Sequence, residues 1–136
     1  MRRSLAPSAE ILSFLAFDFG TVRVGVASAN SLTRTAAPLG TIAAQGQARF
    51  EAIGRLIAEW RPAALVVGVP FHPDGASHIN TGRARRFGRQ LRSRFGLPVH
   101  EVDERYTTTE ARAGRAGDLD AGAAAIILEQ FLAGPT

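Results

Sequence analysis

The stretch Phe14-Leu-Ala-Phe-Asp-Phe-Gly-Thr-Val-Arg-Val-Gly-Val-Ala-Ser28 decides the fold of this chain. Residues 14–19 form a short, largely apolar run, which is typical of a strand that is buried on both faces. Residues 22–28 alternate valines with small or polar residues and therefore predict the second arm of a hairpin. Gly20 permits a tight turn between the two arms and a close approach of a phosphate group to the backbone. The hairpin leaves one acid, Asp18, near the end of its first strand.

The carboxylate of Asp18 is costly to bury unless something compensates for its charge. A bound cation would do so, and hydrogen bonds from the amides of the hairpin turn would do so as well. Taken alone, the position favours the hydrogen-bonded interpretation. A chemical role for Asp18 therefore depends on further acids at the same place.

Composition and charge limit the classes of protein to which this chain can belong. Its 136 residues fit one domain with a substantial core, and it contains no Cys, which excludes disulfides and thiolate metal sites. All 16 basic residues are Arg, which suits phosphate recognition, and the net charge of +4 permits a polyanionic partner without requiring one. No apolar run reaches membrane-spanning length, so we expect a cytoplasmic protein without a membrane partner.

The remaining chain predicts alternating helices and strands. Residues 1–13 are polar and lack sustained periodicity, so we expect a flexible N-terminal extension before one domain over residues 14–134. After the hairpin, the pattern predicts strands over 33–42, 64–69 and 99–102, and helices over 47–60, 79–95 and 118–132, with one more helix after Thr108 or Thr109. This order indicates an α/β domain, in which a mixed sheet is covered by helices and ligands gather at the carboxyl ends of the strands.

The helix predicted over residues 79–95 carries six arginines and no acid. A solvated face is the usual explanation for such charges, but like charges at helical spacing repel by about 0.2–0.5 kcal/mol per pair. An anionic partner would relieve this repulsion. We therefore predict that this helix contacts phosphate groups, in particular through Arg85, Arg86 and Arg89.

Acids stand at two further places that the predicted topology brings towards Asp18. Asp103 and Glu104 follow the strand over residues 99–102, and strand alternation points them to opposite faces, so at most one is aimed at a shared site. Asp120 lies in the first turn of the last helix, where the helix dipole favours a carboxylate even without a chemical role. Several acids at compatible places favour a shared site more strongly than Asp18 alone does.

Four blocks of the chain resemble the YqgF/RuvX family of Holliday-junction-resolvase-like proteins. The blocks are Phe17-Asp-Phe-Gly-Thr-Val-Arg-Val-Gly-Val-Ala27, Val66-Val-Gly-Val-Pro70 with Asp74-Gly75, Val102-Asp-Glu-Arg-Tyr-Thr-Thr108, and Asp120-Ala-Gly-Ala-Ala-Ala-Ile-Ile-Leu128. They occur in the order that the family shows. The resemblance implies an RNase H-like fold with a mixed five-stranded sheet flanked by helices. It also implies a metal-dependent endonuclease that hydrolyses phosphodiester bonds in the 5′ maturation of pre-16S rRNA, a step of ribosome biogenesis.

The resemblance also implies which residues carry the chemistry. Asp18 matches the acid of the first strand, and Asp120 matches the acid that opens the last helix. Glu104, or less well its neighbour Asp103, matches the second acid. In RNase H-like nucleases such acids are catalytic and hold Mg²⁺ or Mn²⁺, ions that prefer hard oxygen ligands. The implied contacts to the nucleic-acid backbone are Gly20, Thr21, Arg23, Arg105, Thr107 and Thr108, and the arginine-rich helix would position the substrate strand.

The chain departs from the family's pattern at two places. Where the family commonly has an acid shortly after the second strand, this chain reads Ser28-Ala-Asn30. Asn30 can still coordinate or hydrogen-bond, but it adds no negative charge. The family also usually has a longer, basic connection before the last helix than residues 113–119 provide.

Other functions remain open at the level of the sequence. A Holliday junction resolvase that acts on branched DNA is a variant of the nuclease, and the residues do not choose between RNA and DNA. A non-catalytic RNA- or ribosome-associated factor would bind in a salt-sensitive manner without the three acids. An ATPase-like phosphotransferase would need a second lobe, for which this length leaves no room. The expected partners are pre-rRNA or branched DNA and the ribosome, with the protein a monomer or a homodimer.

Overall fold

The computed structural model describes residues 10–104 and 118–134. In chain order these residues form β1 (Ser13–Asp18), β2 (Val24–Asn30), β3 (Ala37–Ile42), α1 (Gly46–Trp60), β4 (Ala64–Val69), α2 (Ile79–Phe95), β5 (Val99–Asp103) and α3 (Leu119–Ala133). The strands make one sheet in the order β3-β2-β1-β4-β5. β2 is antiparallel to both β1 and β3, whereas β4 is parallel to both β1 and β5. The predicted mixed five-stranded sheet flanked by helices is confirmed.

Two helical layers bury the two faces of this sheet. On one face, α1 and α2 cover a core that includes Leu15, Phe17, Val67 and Phe87. On the other face, α3 covers a second core of mostly small residues: Ala16, Ala27, Ala29, Ala36, Val66, Ala124, Ala125, Ile127 and Leu128. We call these the α1/α2 face and the α3 face. Successive side chains of a strand point to opposite faces, so residues two apart share a face. Asp18 stands two residues after Ala16 and therefore lies on the α3 face.

The central and edge strands have the sequences that their positions require. All six residues of β4 are buried, which agrees with its continuous apolar sequence in the middle of the sheet. β3 lies at the edge, where Pro38 removes no hydrogen bond from an inner ladder. The pairing of β3 with β2 shifts register between Val26 and Ala27.

Parts of the predicted organisation fall on residues that the structure does not describe. Residues 1–9 of the predicted extension and the helix predicted after Thr108 or Thr109 lie outside the described residues. Ser13, which the prediction included in the extension, is the first residue of β1. Among the helices that the structure describes, none combines the length and the apolar character needed to cross a membrane.

Candidate active site at the carboxyl end of the sheet

Asp18 ends β1 between glycines of the two neighbouring strands. Gly25 of β2 is its register partner, and Gly68 of β4 comes directly after Val67, the partner of Phe17. All three residues belong to the α3 face by strand alternation. A glycine inside a strand often marks a place where another group approaches closely. On either side of Asp18, the missing side chains of these glycines let other groups approach the α3 face closely.

The first turn of α3 packs directly on Gly25. A Cβ atom built on residue 25 would lie 1.9 Å from the backbone oxygen of Asp120 and 2.2 Å from its carbonyl carbon. Real Cβ atoms essentially never approach other heavy atoms within 3.0 Å. Only glycine admits this contact, which brings the backbone of Asp120 over the register partner of Asp18.

The carboxyl group of Glu104 lies over Gly68, on the other side of Asp18. A Cβ atom built on residue 68 would lie 2.9 Å from both Cγ and Oε2 of Glu104. The neighbouring Asp103 is the register partner of Val69, whose side chain belongs to the core of the α1/α2 face. Strand alternation therefore directs Asp103 away from the face of Asp18. Of the two adjacent acids, the geometry brings Glu104 to that face.

Arg23 binds the carboxylate of Asp120. Its Nε donates a hydrogen bond to Oδ2 over 2.9 Å, and the two side chains are 59% and 33% exposed. Exposed ion pairs of this kind contribute at most about 1 kcal/mol to stability. The pair therefore matters more for the direction in which the Asp120 carboxylate points than for the stability of the fold.

The residue that caps α3 fixes the position of Asp120. Asp118 accepts a hydrogen bond from the backbone N–H of Ala121 and one from the hydroxyl of Thr41, whose oxygen lies 2.7 Å from both carboxylate oxygens. The bond from Ala121, and after it the one from Thr41, holds the pKa of Asp118 below its usual value. Thr41 is itself the register partner of Gly25. The edge strand β3 is thus tied to the helical turn that carries Asp120.

The turn between β1 and β2 is anchored by α1. Arg49 is a buried residue of α1, and its burial lowers the pKa of the guanidinium. Its Nη2 donates to the carbonyl oxygen of Thr21 over 3.3 Å, and its Nε donates to that of Ala44 over 2.8 Å. The side chain of Thr21 remains exposed, and Gly20 packs against the backbone of Arg23.

The structure separates several other predicted residues from the acids. Asn30 is the register partner of Ser13, at the end of β1 opposite to Asp18. Its Oδ1 accepts hydrogen bonds from the backbone N–H groups of Leu32 and Thr33, so Asn30 shapes the turn after β2. Asn30 does not belong to the acid site. The predicted contacts Arg105, Thr107 and Thr108 lie outside the described residues.

The arginines of α2 lie in the other layer. Arg85 forms an ion pair with Glu101 over 3.3 Å and its guanidinium stacks on the ring of Phe71. Arg86 and Arg89 are exposed on the same helix. Because α2 covers the α1/α2 face, Arg85, Arg86 and Arg89 lie on the side of the sheet away from the acids, and their contact with phosphate groups stays a prediction.

The donor set of the three acids fits a hard divalent cation in its chemistry. Asp18, Glu104 and Asp120 are all carboxylates, the ligands that Mg²⁺ and Mn²⁺ prefer. As the side chains stand, residues 10–104 and 118–134 contain no group of three or more His, Cys, Asp or Glu that could hold a metal ion. Asp18 and Glu104 share one face, whereas the carboxylate of Asp120 is turned to Arg23. Asp120 would join them by exchanging Arg23 for a cation.

Comparison with known families and proteins agrees with this fold. The family model described as "RuvX: Holliday junction resolvase" matches residues 12–134. The chain belongs to the RuvX family. Relatives that bear the name "Putative pre-16S rRNA nuclease" occur in Polaromonas sp. and Albidiferax ferrireducens, at 67% and 66% identity over 125 residues. Each match covers 92% of this chain, and the matches cover 91% and 80% of the respective relatives.

Two solved structures share the fold of this RuvX chain at low sequence identity. RuvC of T. thermophilus in complex with a Holliday junction superposes with a TM-score of 0.58 at 17% identity, over 90% of this chain and 94% of RuvC. Pelota of Archaeoglobus fulgidus superposes with a TM-score of 0.54 at 8% identity, over 93% of this chain and 35% of Pelota. The predicted RNase H-like fold is thereby confirmed.

Gly25, Gly68 and Thr41 shape this site of the RuvX chain, although none of them is among the site residues predicted above. Gly25 and Gly68 interrupt runs of valine, and a glycine inside a strand is a recognisable sign of close approach. Thr41 carries no such sign, because its partner Asp118 is 77 residues away in the chain. Its role becomes visible only once β3 and α3 are packed together.

Proposed function

We propose that this chain is a metal-dependent nuclease that hydrolyses phosphodiester bonds in the 5′ maturation of pre-16S rRNA. The observation that carries the proposal is the position of Asp18 between Gly25 and Gly68, with the first turn of α3 over one glycine and the carboxyl group of Glu104 over the other. The names of relatives at 67% and 66% identity support the choice of substrate.

Asp18, Glu104 and Asp120 are the residues that would hold Mg²⁺ or Mn²⁺. When bound, the cation would supply an activated water and stabilise the charge on the leaving oxygen. The chain supplies the positions of the carboxylates. Asp18 is fixed by its pairing with Gly25 of β2, directly after the last β1 residue that pairs with β4, and Asp120 is fixed by the contact of its backbone with Gly25.

Arg23 is the residue best placed to bind the substrate's backbone beside these acids. Its guanidinium is largely exposed and already binds an anion, the carboxylate of Asp120. A guanidinium binds carboxylate and phosphate with the same fork of N–H donors. An incoming phosphate therefore gives Arg23 a second partner and releases Asp120 towards the other acids. Gly20 and Thr21 in the adjacent turn, together with Arg105, Thr107 and Thr108, complete the proposed contacts.

The description of the matching family supports a second substrate for the proposed nuclease, branched DNA. The matching family is described as a Holliday junction resolvase, and the same three acids would serve for the cleavage of branched DNA. Such a protein would need to cut two strands in a symmetric manner, which favours a homodimer. Both nucleic acids therefore belong in the decisive experiment.

The experiment measures cleavage of a labelled pre-16S 5′-leader RNA and of a synthetic four-way DNA junction. Each substrate is incubated with Mg²⁺, Mn²⁺ or EDTA, using the wild type, Asp18→Asn and the control Glu51→Gln. Glu51 is an exposed acid of α1, so its substitution removes a negative charge from the other layer. We expect metal-dependent cleavage of the RNA that Asp18→Asn abolishes and Glu51→Gln preserves, with unfolding midpoints in urea that differ little.

The remaining outcomes are equally informative. Cleavage of the junction alone would identify the protein as a DNA resolvase. Wild-type activity in Asp18→Asn would refute the role of the acids. Absence of cleavage, with salt-sensitive binding that is equal in all three proteins, would identify a non-catalytic RNA- or ribosome-associated factor.

A further inference from the structure

The exposed side of α2 carries two arginines without a partner among the described residues. Arg86 and Arg89 are exposed, and neither forms a hydrogen bond or an ion pair with any residue that the structure describes. The other four arginines of the helix have partners within the protein: Arg83 with Asn80, Arg85 with Glu101, Arg92 with the carbonyl oxygen of Val99, and Arg94 with Gln47 and the ring of Phe50. Only Arg85 among these four is paired with an acid, and Arg86 and Arg89 stand out because their N–H donors also have no hydrogen-bond acceptor among the described residues.

These two arginines line an open groove of about 330 Å³. The other lining residues are Gln90, Ser93 and Arg94, so every residue of the groove can donate hydrogen bonds and none is acidic or apolar. The groove has three arginine guanidinium groups and no carboxylate. The lining suits the charged oxygens of a phosphodiester backbone.

The groove and the acids lie on opposite sides of the sheet. The buried residues of α2, including Phe87 and Leu91, pack into the core of the α1/α2 face, whereas Asp18 and Glu104 lie on the α3 face. A helix with its side chains is about 10–12 Å across, so the outer side of α2 is at least that far from the sheet. A nucleic-acid strand cannot contact both places without passing around the sheet.

We propose that this groove, formed by Arg86, Arg89, Gln90, Ser93 and Arg94, is a second nucleic-acid site that binds a segment of RNA other than the one being cut. The proposal rests on the proposed function, because it takes the RNA of the nuclease as its ligand. A short RNA reaches only the acids, whereas a long or folded RNA reaches both places. The groove therefore raises the affinity for long RNA and leaves the cleavage step unchanged.

The first test measures binding as a function of salt concentration. The double variant Arg86→Gln/Arg89→Gln is compared with its parent, both carrying Asp18→Asn so that RNA is not cut. Each phosphate contact contributes about 0.7–0.9 to the slope of log K against log salt. For the long leader RNA, we expect the slope of the groove variant to be smaller in magnitude than that of its parent by about 1.4–1.8. If the two proteins bind this RNA equally at 1 M salt, the variant then binds it about 25- to 60-fold more weakly at 0.1 M salt.

The control removes the same charge from another place. Arg55→Gln/Arg61→Gln takes two exposed arginines from α1 and the residue after it, away from the groove. We expect the control to change the slope for long RNA by much less than the groove variant does. If the groove variant and its parent show equal slopes of log K against log salt for long RNA, the proposal is overturned. An acidic protein would then be the remaining candidate partner of Arg86 and Arg89.

The second test measures cleavage with the Asp18 residue intact. On the long leader RNA, we expect the groove variant to raise KM and to leave kcat unchanged, and on a short RNA that spans only the cleaved bond we expect no change. An equal loss of kcat on the long and the short RNA would show that the groove residues act on the cleavage step, and it would overturn the proposal of a separate binding site. If the wild type cuts no RNA, the proposed function fails, and the salt slopes of the first test still decide whether the groove binds nucleic acid.

Discussion

The substitution Gly25→Ala tests whether the contact between β2 and α3 positions Asp120. The added methyl group would lie 1.9 Å from the backbone oxygen of Asp120, and the third close atom, at 2.9 Å, is the backbone nitrogen of Ala121. All three close atoms belong to the backbone of a helical turn, so no side-chain rotation can relieve the overlap. The turn itself must move.

The size of this movement follows from the distances. To restore the 3.0 Å below which Cβ atoms are essentially never found, the turn must recede by about 1.1 Å, the difference between 3.0 and 1.9 Å. Overpacking of this kind costs about 1–3 kcal/mol of stability. A misplacement of catalytic groups by about 1 Å can cost about 100-fold in rate. We therefore expect Gly25→Ala to fold with reduced stability and to lose about 100-fold in cleavage.

The assay combines urea unfolding with cleavage of the leader RNA in Mn²⁺. Gly82→Ala is the matched control, because no atom lies within 4 Å of a Cβ at this exposed position of α2. Replacing glycine by alanine inside a helix stabilises it by about 0.5–1 kcal/mol, so the control should be more stable than the wild type and fully active. Wild-type stability and activity in Gly25→Ala would refute the reasoning, as would equal losses in the two variants.

Two further substitutions test the anchoring of α3 and the ion pair of Asp120. Thr41→Val removes the hydroxyl that binds Asp118, so the pKa of Asp118 should rise and the free energy of unfolding at pH 7 should fall by about 1 kcal/mol in urea titrations. Because the folded pKa of Asp118 lies below its ordinary value of 3.8, this contribution is present above pH 3.8 and disappears as the pH falls through the folded pKa. Arg23→Gln should change stability by less than about 1 kcal/mol. It should also strengthen Mn²⁺ binding, followed by electron paramagnetic resonance, because a cation would no longer compete with the guanidinium for the carboxylate of Asp120.

Each of these expectations has an outcome that contradicts it. A stability difference between Thr41→Val and the wild type that stays constant as the pH falls below 3.8 would show that the Asp118 charge is not its cause. Unchanged Mn²⁺ affinity in Arg23→Gln would show that the guanidinium and the cation do not compete for Asp120. Arg55→Gln, on the exposed side of α1, is the control for the general loss of a positive charge.

The bounds of several elements could be predicted because local signals mark both of their ends. β4 and α2 have the predicted bounds, 64–69 and 79–95, since an apolar run defines the strand and Gly96 ends the helix in a left-handed conformation. β2 was predicted from residue 22 but begins at Val24. The valines alternate in the same way whether the strand starts at residue 22 or at residue 24. The alternation therefore does not show where pairing with β1 begins.

The choice between Asp103 and Glu104 shows where local signals end. Alternation alone establishes that the two side chains point in opposite directions, without saying which direction leads to Asp18. That answer depends on the register of β5 against β4, which pairs Asp103 with Val69 and brings Glu104 over Gly68. Register is a property of the assembled sheet, and no residue near Asp103 encodes it.

The position of the arginine-rich helix α2 relative to the acids also depends on which face of the sheet each strand residue points to. The apolar residues of α2 fix which side of the helix is buried, but they do not say which face of the sheet it covers. The connection between the parallel strands β4 and β5 places α2 on the face of Leu15 and Phe17, and Asp18 is directed to the opposite face because it follows Phe17 by one residue. A carboxylate one position earlier or later in β1 would point towards α2. The separation of the acids from the groove of Arg86 and Arg89 therefore follows from the position of one residue in one strand.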